Sequence, residues 1–433
     1  MDIYDTLCYN ITLLERGILQ MHLKELSIAE FDSFAKNFPI SSYYQSSNYA
    51  LFMTECGYDY ELIGFVDELG VIKAAALILI KKIGISSRYG YSPKGFLIDY
   101  FDQDLLKSFT NALKHYYDKK LVFIKINPEI AIGEIDPITK LTNYNQNIIV
   151  RDYLKELGYL KLKDNKYFES LFPRYNAILN INDYSFSKLN KNTKNKIRKG
   201  VKKGLVFEKK DRDGLDILFP FIKYKKEIDP FYYKNYYNVF DHNGLSDLFL
   251  VKIDYQQYLV NSKKLYDAEL ERNTEISRKL MEHTSDTYIK EKMNSDRTLL
   301  SYKNDIEMAT KVLQDKKEVY IAGAFVIRYL NRVHIVISGF DKNYKQFDPN
   351  YFLHYQILEY YKHNFKFVDL NGMTGDFTPN NPYQGLNQFK LGFKPHIYEF
   401  IGEFDLILNE HAYRNLMKKG LLAKEFNKKT KGI

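Results

Sequence analysis

The 433-residue sequence has no tryptophan and only two cysteines, Cys8 and Cys56. Two cysteines without metal-ligand spacing exclude a disulfide framework and a structural zinc site, and they are typical of a reducing compartment. Long apolar runs are also absent: the longest, Ala74–Ile80, is far shorter than the about 20 residues that cross a bilayer. The N-terminus has no basic segment followed by an apolar core, so we expect no secretory signal and a cytoplasmic location.

The composition that remains is that of a folded protein. Hydrophobic residues make up 45% and charged residues 27% of the chain, and the length is too great for one ordinary core. We therefore expect two domains. The net charge of +9 suits a polyanionic partner or peripheral contact with the inner face of an acidic membrane. An AT-rich coding sequence gives the same lysine-rich, tryptophan-free composition, so the distribution of charge is more informative than its sum.

Hydrophobic patterning divides the chain into repeated units. A strand hairpin, a helix and a further strand occur twice, which predicts an α+β fold with two similar halves. Ser27 and Glu30 form a capping box at the start of a helix, and we predict one further helix over Phe219–Phe240. The predicted divisions are an N-terminal extension (1–20, with Met21 as an alternative start), a first domain (21–172), a second domain (173–254 and 319–433), and a helical hairpin arm (255–318).

The arm has dense charge and no proline or glycine over Tyr255–Glu318. Its apolar residues alternate at spacings of three and four, which predicts an antiparallel coiled coil; they are Leu299, Tyr302, Ile306, Ala309 and Leu313. Such an arm is either a solvated hairpin or a surface that holds a partner.

The segment from Val368 to Glu403 contains the most unusual pattern. A predicted strand (Phe365–Leu370) leads into a glycine-rich loop, then into an aromatic box with one charge, Phe389-Lys390-Leu391-Gly392-Phe393, and a closing strand. A lysine between phenylalanines, beside a glycine that allows the backbone to approach a ligand closely, suits a site that binds an anionic or carbonyl oxygen. The alternative is a loop with a solvated lysine.

Together with three earlier motifs, this segment resembles the Fem family (FemABX) of aminoacyl-tRNA-dependent transferases that build peptidoglycan cross-bridges. The resemblance spans about Met21 to Gly420 and depends on the order of the motifs. The earlier motifs are Tyr44-Gln45-Ser46-Ser47-Asn48-Tyr49-Ala50, Tyr89-Gly90-Tyr91-Ser92-Pro93-Lys94-Gly95-Phe96 and Ile124-Lys125-Ile126-Asn127-Pro128-Glu129.

The resemblance implies two tandem acyltransferase domains of the N-acetyltransferase (GNAT) fold with the helical arm inserted. It implies that an amine of the stem peptide, on a lipid-linked or nucleotide-linked muropeptide, attacks the ester of an aminoacyl-tRNA, and that the protein associates with paralogous transferases. The arm would then help to hold the tRNA. No basic/Gln-x-x-Gly-x-Gly/Ala loop is present, so coenzyme A is not the expected donor. We expect no cofactor and no metal.

The reaction needs a base for the amine and a positive group for the oxyanion. Lys390 is the candidate for the oxyanion or for the tRNA end. Asp99, Asp369 and Asp376 are weaker candidates for the base, because each also suits a turn. No Ser-His-Asp or Cys-His arrangement stands out among the nine histidines, so no covalent intermediate is expected.

The predicted substrate-binding residues fall into two groups. The resemblance places an acceptor cleft in the first half, with Lys94 as a phosphate or carboxylate partner. The predicted residues are Gln45, Ser46, Tyr49, Tyr91, Lys94 and Gly95 in the first half, and Gly385, Phe389, Gly392 and Phe393 in the second.

A lysine-rich stretch over 188–210 has one acid, Glu208. On a helix, four of its basic residues share a face, which favours contact with phosphates of tRNA or of the precursor over a merely solvated surface. They are Lys191, Lys194, Arg198 and Lys202.

Two positions depart from the family pattern. Met53 stands where some members have lysine, and Asn127 stands where the strand often ends in aspartate. These departures keep two alternatives open: a related acyltransferase of another surface-polymer pathway, and a non-catalytic scaffold.

Overall fold

Apolar and alternating runs form strands much as the sequence predicts, and the strands assemble into two sheets. The fold is seen in a computed structural model that describes residues 21–167, 169, 171–223 and 229–426. The predicted N-terminal extension, 1–20, lies outside the described residues. The strands are β1 (His22–Glu25), β2 (Asp59–Val66), β3 (Ile72–Ile83), β4 (Ser87–Ser92), β5 (Phe123–Ile126), β6 (Ala131–Ile135), β7 (Thr142–Tyr144), β8 (Tyr159–Lys161), β9 (Tyr175–Asn180), β10 (Leu205–Lys210), β11 (Ser246–Asp254), β12 (Glu318–Tyr329), β13 (Arg332–Phe340), β14 (Phe367–Met373), β15 (His396–Phe400) and β16 (Phe404–Ile407).

Helices cover these sheets. Ser27 and Glu30 form the predicted capping box at the first of them. Short 3₁₀ turns lie at Tyr43–Gln45, Gln146–Ile149, Phe186–Lys188 and Lys342–Phe347. The α-helices are α1 (Ile28–Asn37), α2 (Ser47–Glu55), α3 (Gln103–Tyr116), α4 (Val150–Glu156), α5 (Lys191–Lys202), α6 (Gly214–Ile222), α7 (Pro230–Asp241), α8 (Tyr255–Glu282), α9 (Asp286–Leu313), α10 (Pro349–Tyr361), α11 (Gln384–Leu391), α12 (Glu410–Lys418) and α13 (Leu421–Phe426).

The two sheets exchange strands. The first has the order β1-β2-β3-β4-β5-β16-β8 and the second β10-β11-β12-β13-β14-β9-β15-β6-β7. Strands β6 and β7 of the N-terminal half therefore extend the second sheet, while β16 of the C-terminal half pairs with β5 and β8 of the first. The predicted boundary between residues 172 and 173 thus does not coincide with the division between the sheets, because pairing between distant strands leaves no local signal in the sequence.

The hydrophobic core also crosses that boundary. One cluster of buried side chains joins Tyr49 and Leu77 of the N-terminal half to Tyr236 and Phe325 of the C-terminal half. The ring of Phe52 on α2 stacks on Tyr236 of α7 with centroids 4.0 Å apart. The mixed α and β composition is confirmed, whereas a GNAT fold in each half stays a prediction.

The arm consists of α8 and α9, each of 28 residues. Asn273 of α8 donates to Ser295 of α9 at 3.0 Å, and Lys203 pairs with Asp305 at 2.9 Å near the base of the arm, so the two helices run antiparallel. The arm starts and ends at paired strands, since Asp254 of β11 lies opposite Glu318 of β12. The predicted coiled-coil geometry stays a prediction.

Two local predictions are corrected by the structure. The alternative that the aromatic box is a loop with a solvated lysine is wrong: its first three residues end α11, Lys390 is buried, and Gly392 and Phe393 follow directly. Leucine, glutamine and lysine after Gly385 favour a helix there. The single helix predicted over Phe219–Phe240 is two helices, α6 and α7, and residues 224–228 between them lie outside the described residues. Over the described part of the chain, no helix is long and apolar enough to span a membrane.

Candidate functional site

A small pocket lies where the two sheets meet. Its polar walls come from both halves of the chain: Lys94 and Glu129 follow β4 and β5, while Asn176, His334 and Asp369 lie on β9, β13 and β14. The other lining residues are Tyr43, Tyr44, Phe172, Pro173, Ile335, Val336 and Asn371. Polar and ionisable side chains from five separate segments converge here in a buried setting, which is typical of a functional site.

Strand register brings His334 and Asp369 together. Strands β13 and β14 are parallel and pair over three positions, with Val333 opposite Val368 and His334 opposite Asp369. Because side chains alternate along a strand, the two valines enter the core and the polar pair faces the pocket. Nδ1 of His334 lies 3.6 Å from Oδ2 of Asp369. The ring of His334 also packs against Tyr43, with centroids 4.8 Å apart.

Asp369 is fixed by two further contacts. The main-chain N–H of Asn371 donates to its Oδ1 at 2.7 Å, and Nδ2 of Asn176 donates to its Oδ2 at 3.3 Å. The other side-chain atom of Asn176, Oδ1, is buried and has no hydrogen-bond partner among the described residues. A buried acceptor without a partner costs free energy, so this oxygen is suited to a donor from a bound substrate.

Lys94 also lines the pocket and has a strained backbone conformation. Its φ is +59°, and its N–H donates to Oδ1 of Asn127 at 2.9 Å. The Tyr91 hydroxyl donates to the same oxygen at 3.1 Å. The Lys94 ammonium lies 4.9 Å from the ring of Phe172. The residue as a whole is only 8% exposed. Asn127, a departure from the family pattern, thus fixes the loop that presents Lys94.

An ion pair links the two sheets beside the pocket. Glu129, after β5, binds the guanidinium of Arg332 at the start of β13. Burial raises the pKa of Glu129, but the charges of Arg332 and Lys94 outweigh it and lower that pKa below its ordinary value. Glu129 is therefore an ionised carboxylate that balances two cations.

The pocket environment also shifts the other titratable groups. Burial lowers the pKa of His334 below its ordinary value, although Asp369 acts in the opposite direction. Burial raises the pKa of Asp369, but the contacts with His334 and Arg332 and the Asn371 N–H lower it to about 2. Burial lowers the pKa of Lys94, although the nearby carboxylates of Glu129 and Asp369 act to raise it. His334 is thus a neutral imidazole near neutral pH, beside an ionised carboxylate.

Two of the predicted site residues line the pocket: Lys94, and Asp369, one of the three candidates for the base. Gln45 is buried behind Lys94, donating to the Pro93 carbonyl at 2.6 Å and accepting from the Leu77 N–H at 2.9 Å. Ser46 caps α2 by accepting from the Tyr49 N–H at 3.2 Å. These residues shape the wall of the pocket, and direct contact of Gln45, Ser46, Tyr49 and Tyr91 with substrate stays a prediction.

Gly95 and Gly392 are positions where a side chain does not fit. Gly95 has a φ of +88°, and a Cβ there would lie 2.7 Å from the backbone of Pro128. A Cβ on Gly392 would lie 2.3 Å from Oγ1 of Thr193, so this glycine lets α11 approach α5. Gly385, by contrast, has open space around it.

The aromatic box, with its predicted catalytic lysine, does not line the pocket. Lys390 is only 6% exposed, and its ammonium donates to the carbonyls of Asn371 and Gly372. Phe389 and Phe393 pack against Tyr351 of α10 with centroids 5.0 and 6.1 Å away. Contact of Lys390 with an oxyanion or a tRNA end stays a prediction; here it supports the strand end that carries Asn371.

The two other candidate carboxylates occupy turns. Asp99 is exposed and accepts from the Phe101 N–H at 2.9 Å. Asp376 accepts from the Thr378 N–H at 2.9 Å and from the Tyr167 hydroxyl at 2.7 Å, and these bonds lower its pKa. Neither lines the pocket, so their assignment as a base stays a prediction without support from position.

The predicted basic face lies on α5. Lys191, Arg198 and Lys202 are exposed, and Lys194 is half-buried with its ammonium bonded to the Ser187 carbonyl at 3.0 Å. Other cations of this stretch are paired: Lys199 binds Asp348 at 3.0 Å. One face of α5 therefore carries lysines in ion pairs with acidic side chains, and another face carries exposed basic side chains.

Sequence reasoning missed His334, Arg332, Asn176 and the role of Glu129. One signal was present: Arg332 and His334 alternate with Val333 and Ile335 at the start of a strand that is otherwise apolar. That alternation places two ionisable groups on one face of the strand. Among the described residues, no cluster of three or more His, Cys, Asp or Glu side chains is arranged to hold a metal ion. The expectation of a metal-free and cofactor-free reaction stays a prediction.

Comparison with known proteins places this arrangement in context. The FemAB family model matches residues 26–419. The lipid II:glycine glycyltransferase of Staphylococcus epidermidis is 25% identical over 412 residues, covering 92% of this chain and 95% of that protein. The protein of the same name from Staphylococcus aureus is 24% identical over 413 residues, covering 91% and 94%. The crystal structure of FemX shares the fold, with a TM-score of 0.68 at 22% identity over 91% of this chain and 99% of that one.

Proposed function

The chain belongs to the FemAB family, and we propose that it transfers an aminoacyl group from an aminoacyl-tRNA to a stem-peptide amine of a lipid-linked peptidoglycan precursor. The observation that carries the proposal is the match over nearly the whole chain with relatives that are lipid II:glycine glycyltransferases. Their name favours a lipid-linked over a nucleotide-linked acceptor and makes glycine the first amino acid to test.

The pocket supplies the two groups that acyl transfer to an amine requires. The buried Lys94 ammonium can stabilise the oxyanion that forms when the amine attacks the ester carbonyl. His334 and Asp369 line the same pocket and can receive the proton of the attacking amine. The exposed face of α5, with Lys191, Arg198 and Lys202, is suited to the tRNA phosphates.

Label transfer from charged tRNA tests this function. The assay uses a pool of tRNAs charged with labelled amino acids, with glycyl-tRNA tested separately, and offers lipid-linked or nucleotide-linked muropeptide as acceptor. We expect labelling of the lipid-linked acceptor that ribonuclease abolishes. Lys94→Met should lower kcat/KM by about 10²-fold to 10³-fold, as loss of an oxyanion donor does. Lys82→Met, which removes an exposed lysine from β3, is the matched control and should retain activity.

Two outcomes would contradict the proposal. Labelling that survives ribonuclease would indicate another activated donor, as in a related acyltransferase of another surface-polymer pathway. Absence of labelling on either acceptor, from protein shown to be folded, would favour a non-catalytic scaffold.

A further inference from the structure

The groups that line the pocket differ sharply in their ability to accept a proton. Glu129 is bound by Arg332 and lies near Lys94, so its carboxylate is stabilised as an anion. Burial raises the pKa of both Tyr43 and Tyr44, which keeps their hydroxyls protonated. The low pKa of Asp369 makes it a weak base. Lys94 lies near the carboxylates of Glu129 and Asp369, which favour its charged form, and it is assigned here as the cation. Among the described lining residues, this leaves the neutral imidazole of His334 as the base.

The geometry around His334 matches that of an oriented base. Its Nδ1 lies 3.6 Å from Asp369, which favours the tautomer with the proton of the neutral ring on Nδ1 and the lone pair on Nε2. A base and the group that orients it are often slightly too far apart before substrate binds. Asp369 is itself held by Asn371 and Asn176, so the orientation is built into the strand register.

We propose that His334 is the general base of the transfer, that Asp369 is its positioning residue, and that Oδ1 of Asn176 accepts a hydrogen bond from the incoming amine. This inference rests on the proposed function. The neutral amine attacks the ester carbonyl carbon, and a carbon–nitrogen bond forms while the nitrogen loses one proton to Nε2 of His334. The bond from that carbon to the ribose oxygen then breaks, and the ribose oxygen takes the proton from His334 and leaves as a hydroxyl.

Charges around His334 determine how the reaction responds to pH. Asp369 on β14 and Glu129 after β5 favour the imidazolium, while Arg332 on the same strand disfavours it, and Tyr43 packs on the ring. Lys94 adds a further cation to the pocket. Protonation of His334 removes the base, so kcat/KM of the wild type should fall on the acidic side of its pH profile.

The test compares pH profiles of three variants in the label-transfer assay with the full-length protein. His334→Gln should lower kcat by about 10²-fold to 10⁴-fold, with little change in KM for the muropeptide. It should also remove the ionisation of His334 from the acidic limb and leave only that of the substrate amine. Asp369→Asn should keep that limb but move it to lower pH, because the carboxylate that favours the imidazolium is gone. His396→Gln is the matched control: it removes a histidine that contacts Glu134 at 2.7 Å outside the pocket, and its profile should match the wild type.

The outcomes separate this inference from the proposed function. A wild type without transfer activity would overturn the function and the inference with it. An active wild type whose acidic limb is unchanged in shape and position in His334→Gln would overturn the inference alone. If His334→Gln does not fold, the Asp369→Asn profile decides: a limb that stays at the wild-type pH contradicts a role through His334, and a limb at lower pH supports it. Partial rescue of His334→Ala by added imidazole would further support the role of the base.

Discussion

The ammonium group of Lys390 lies 2.9 Å from the carbonyl oxygen of Asn371 and also donates to the Gly372 carbonyl. Lys390 belongs to α11, whereas Asn371 lies near the end of β14 and uses its own N–H to bind Asp369. Asn371 has a φ of +70°, at an irregularity in the pairing of β14 with β9. The lysine of the aromatic box thus stabilises the strand end that positions a pocket carboxylate.

Replacing Lys390 with methionine should therefore affect the fold as well as the reaction. The side chain is buried, and its loss leaves two carbonyls without their charged donor, which costs about 1.5–3 kcal/mol for each such bond at most. We expect Lys390→Met to lower the free energy of unfolding by about 2 kcal/mol and to reduce transfer activity. Denaturant titration and label transfer measure the two effects.

The matched control for this change is Lys36→Met, which alters an exposed lysine on α1 and should leave stability near that of the wild type. A Lys390→Met protein of unchanged stability that has lost its transfer activity would contradict the anchoring role. That result would instead support direct contact of Lys390 with the oxyanion or the tRNA end.

Asp369 should make the protein sensitive to acid. Its pKa is lowered from 3.8 to about 2 in the fold, so the unfolded chain takes up a proton at higher pH than the folded one does. The stabilisation, about 2 kcal/mol from the size of the shift, is complete above pH 4 and is lost as pH falls towards 2. We expect the stability difference between wild type and Asp369→Asn to shrink by that amount between pH 5 and pH 2. Parallel denaturation curves for the two proteins over this range would contradict the low pKa.

Local signals in the sequence predicted local structure well. The Ser27–Glu30 capping box and the hairpin of β2 and β3 depend on residues close in the chain, and both are present. The exchange of β6, β7 and β16 between the sheets depends on pairing between residues more than 200 positions apart, as between Glu134 and Tyr398. The hydrophobic periodicity of the sequence carries no information about such long-range pairing. The predicted domain boundaries therefore do not coincide with the division between the two sheets.

The same limit applies to the site. Lys94 was predicted to bind substrate because it belongs to a contiguous motif that resembles one of the Fem family. It lines the pocket. His334 and Asp369 are 35 positions apart and meet through the register of a parallel pair, which the sequence does not specify. Phe389 and Phe393 of the aromatic box pack on Tyr351 of α10, and their predicted contact with substrate stays a prediction.

The exposed face of α5 should govern binding of tRNA through charge. Changing Lys191, Lys194, Arg198 and Lys202 together to glutamine removes four cations from one side of the helix. If each meets a phosphate, the slope of log binding constant against log salt should become shallower by about 3, at about 0.7–0.9 for each contact. Titration of labelled tRNA at several salt concentrations measures the slope.

A charge-matched control separates this face from general electrostatics. Glutamine at Lys36, Lys82, Lys107 and Lys119 removes the same charge from exposed positions on other elements. We expect that variant to keep a slope close to the wild type. Equal slopes for the two fourfold variants would show that the basic face makes no specific phosphate contacts.

The arm should act on tRNA by shape more than by charge. Over Tyr255–Glu318 its nine lysines and three arginines are balanced by five aspartates and seven glutamates. Because its ends lie on paired strands, replacing residues 266–301 with a short glycine-rich turn leaves the sheets and the Lys203–Asp305 pair intact. We expect KM for the aminoacyl-tRNA to rise by about tenfold, or about 1.4 kcal/mol, with no change in salt slope and none in KM for the muropeptide. A folded, truncated protein with the wild-type KM for tRNA would show that the arm is a solvated hairpin.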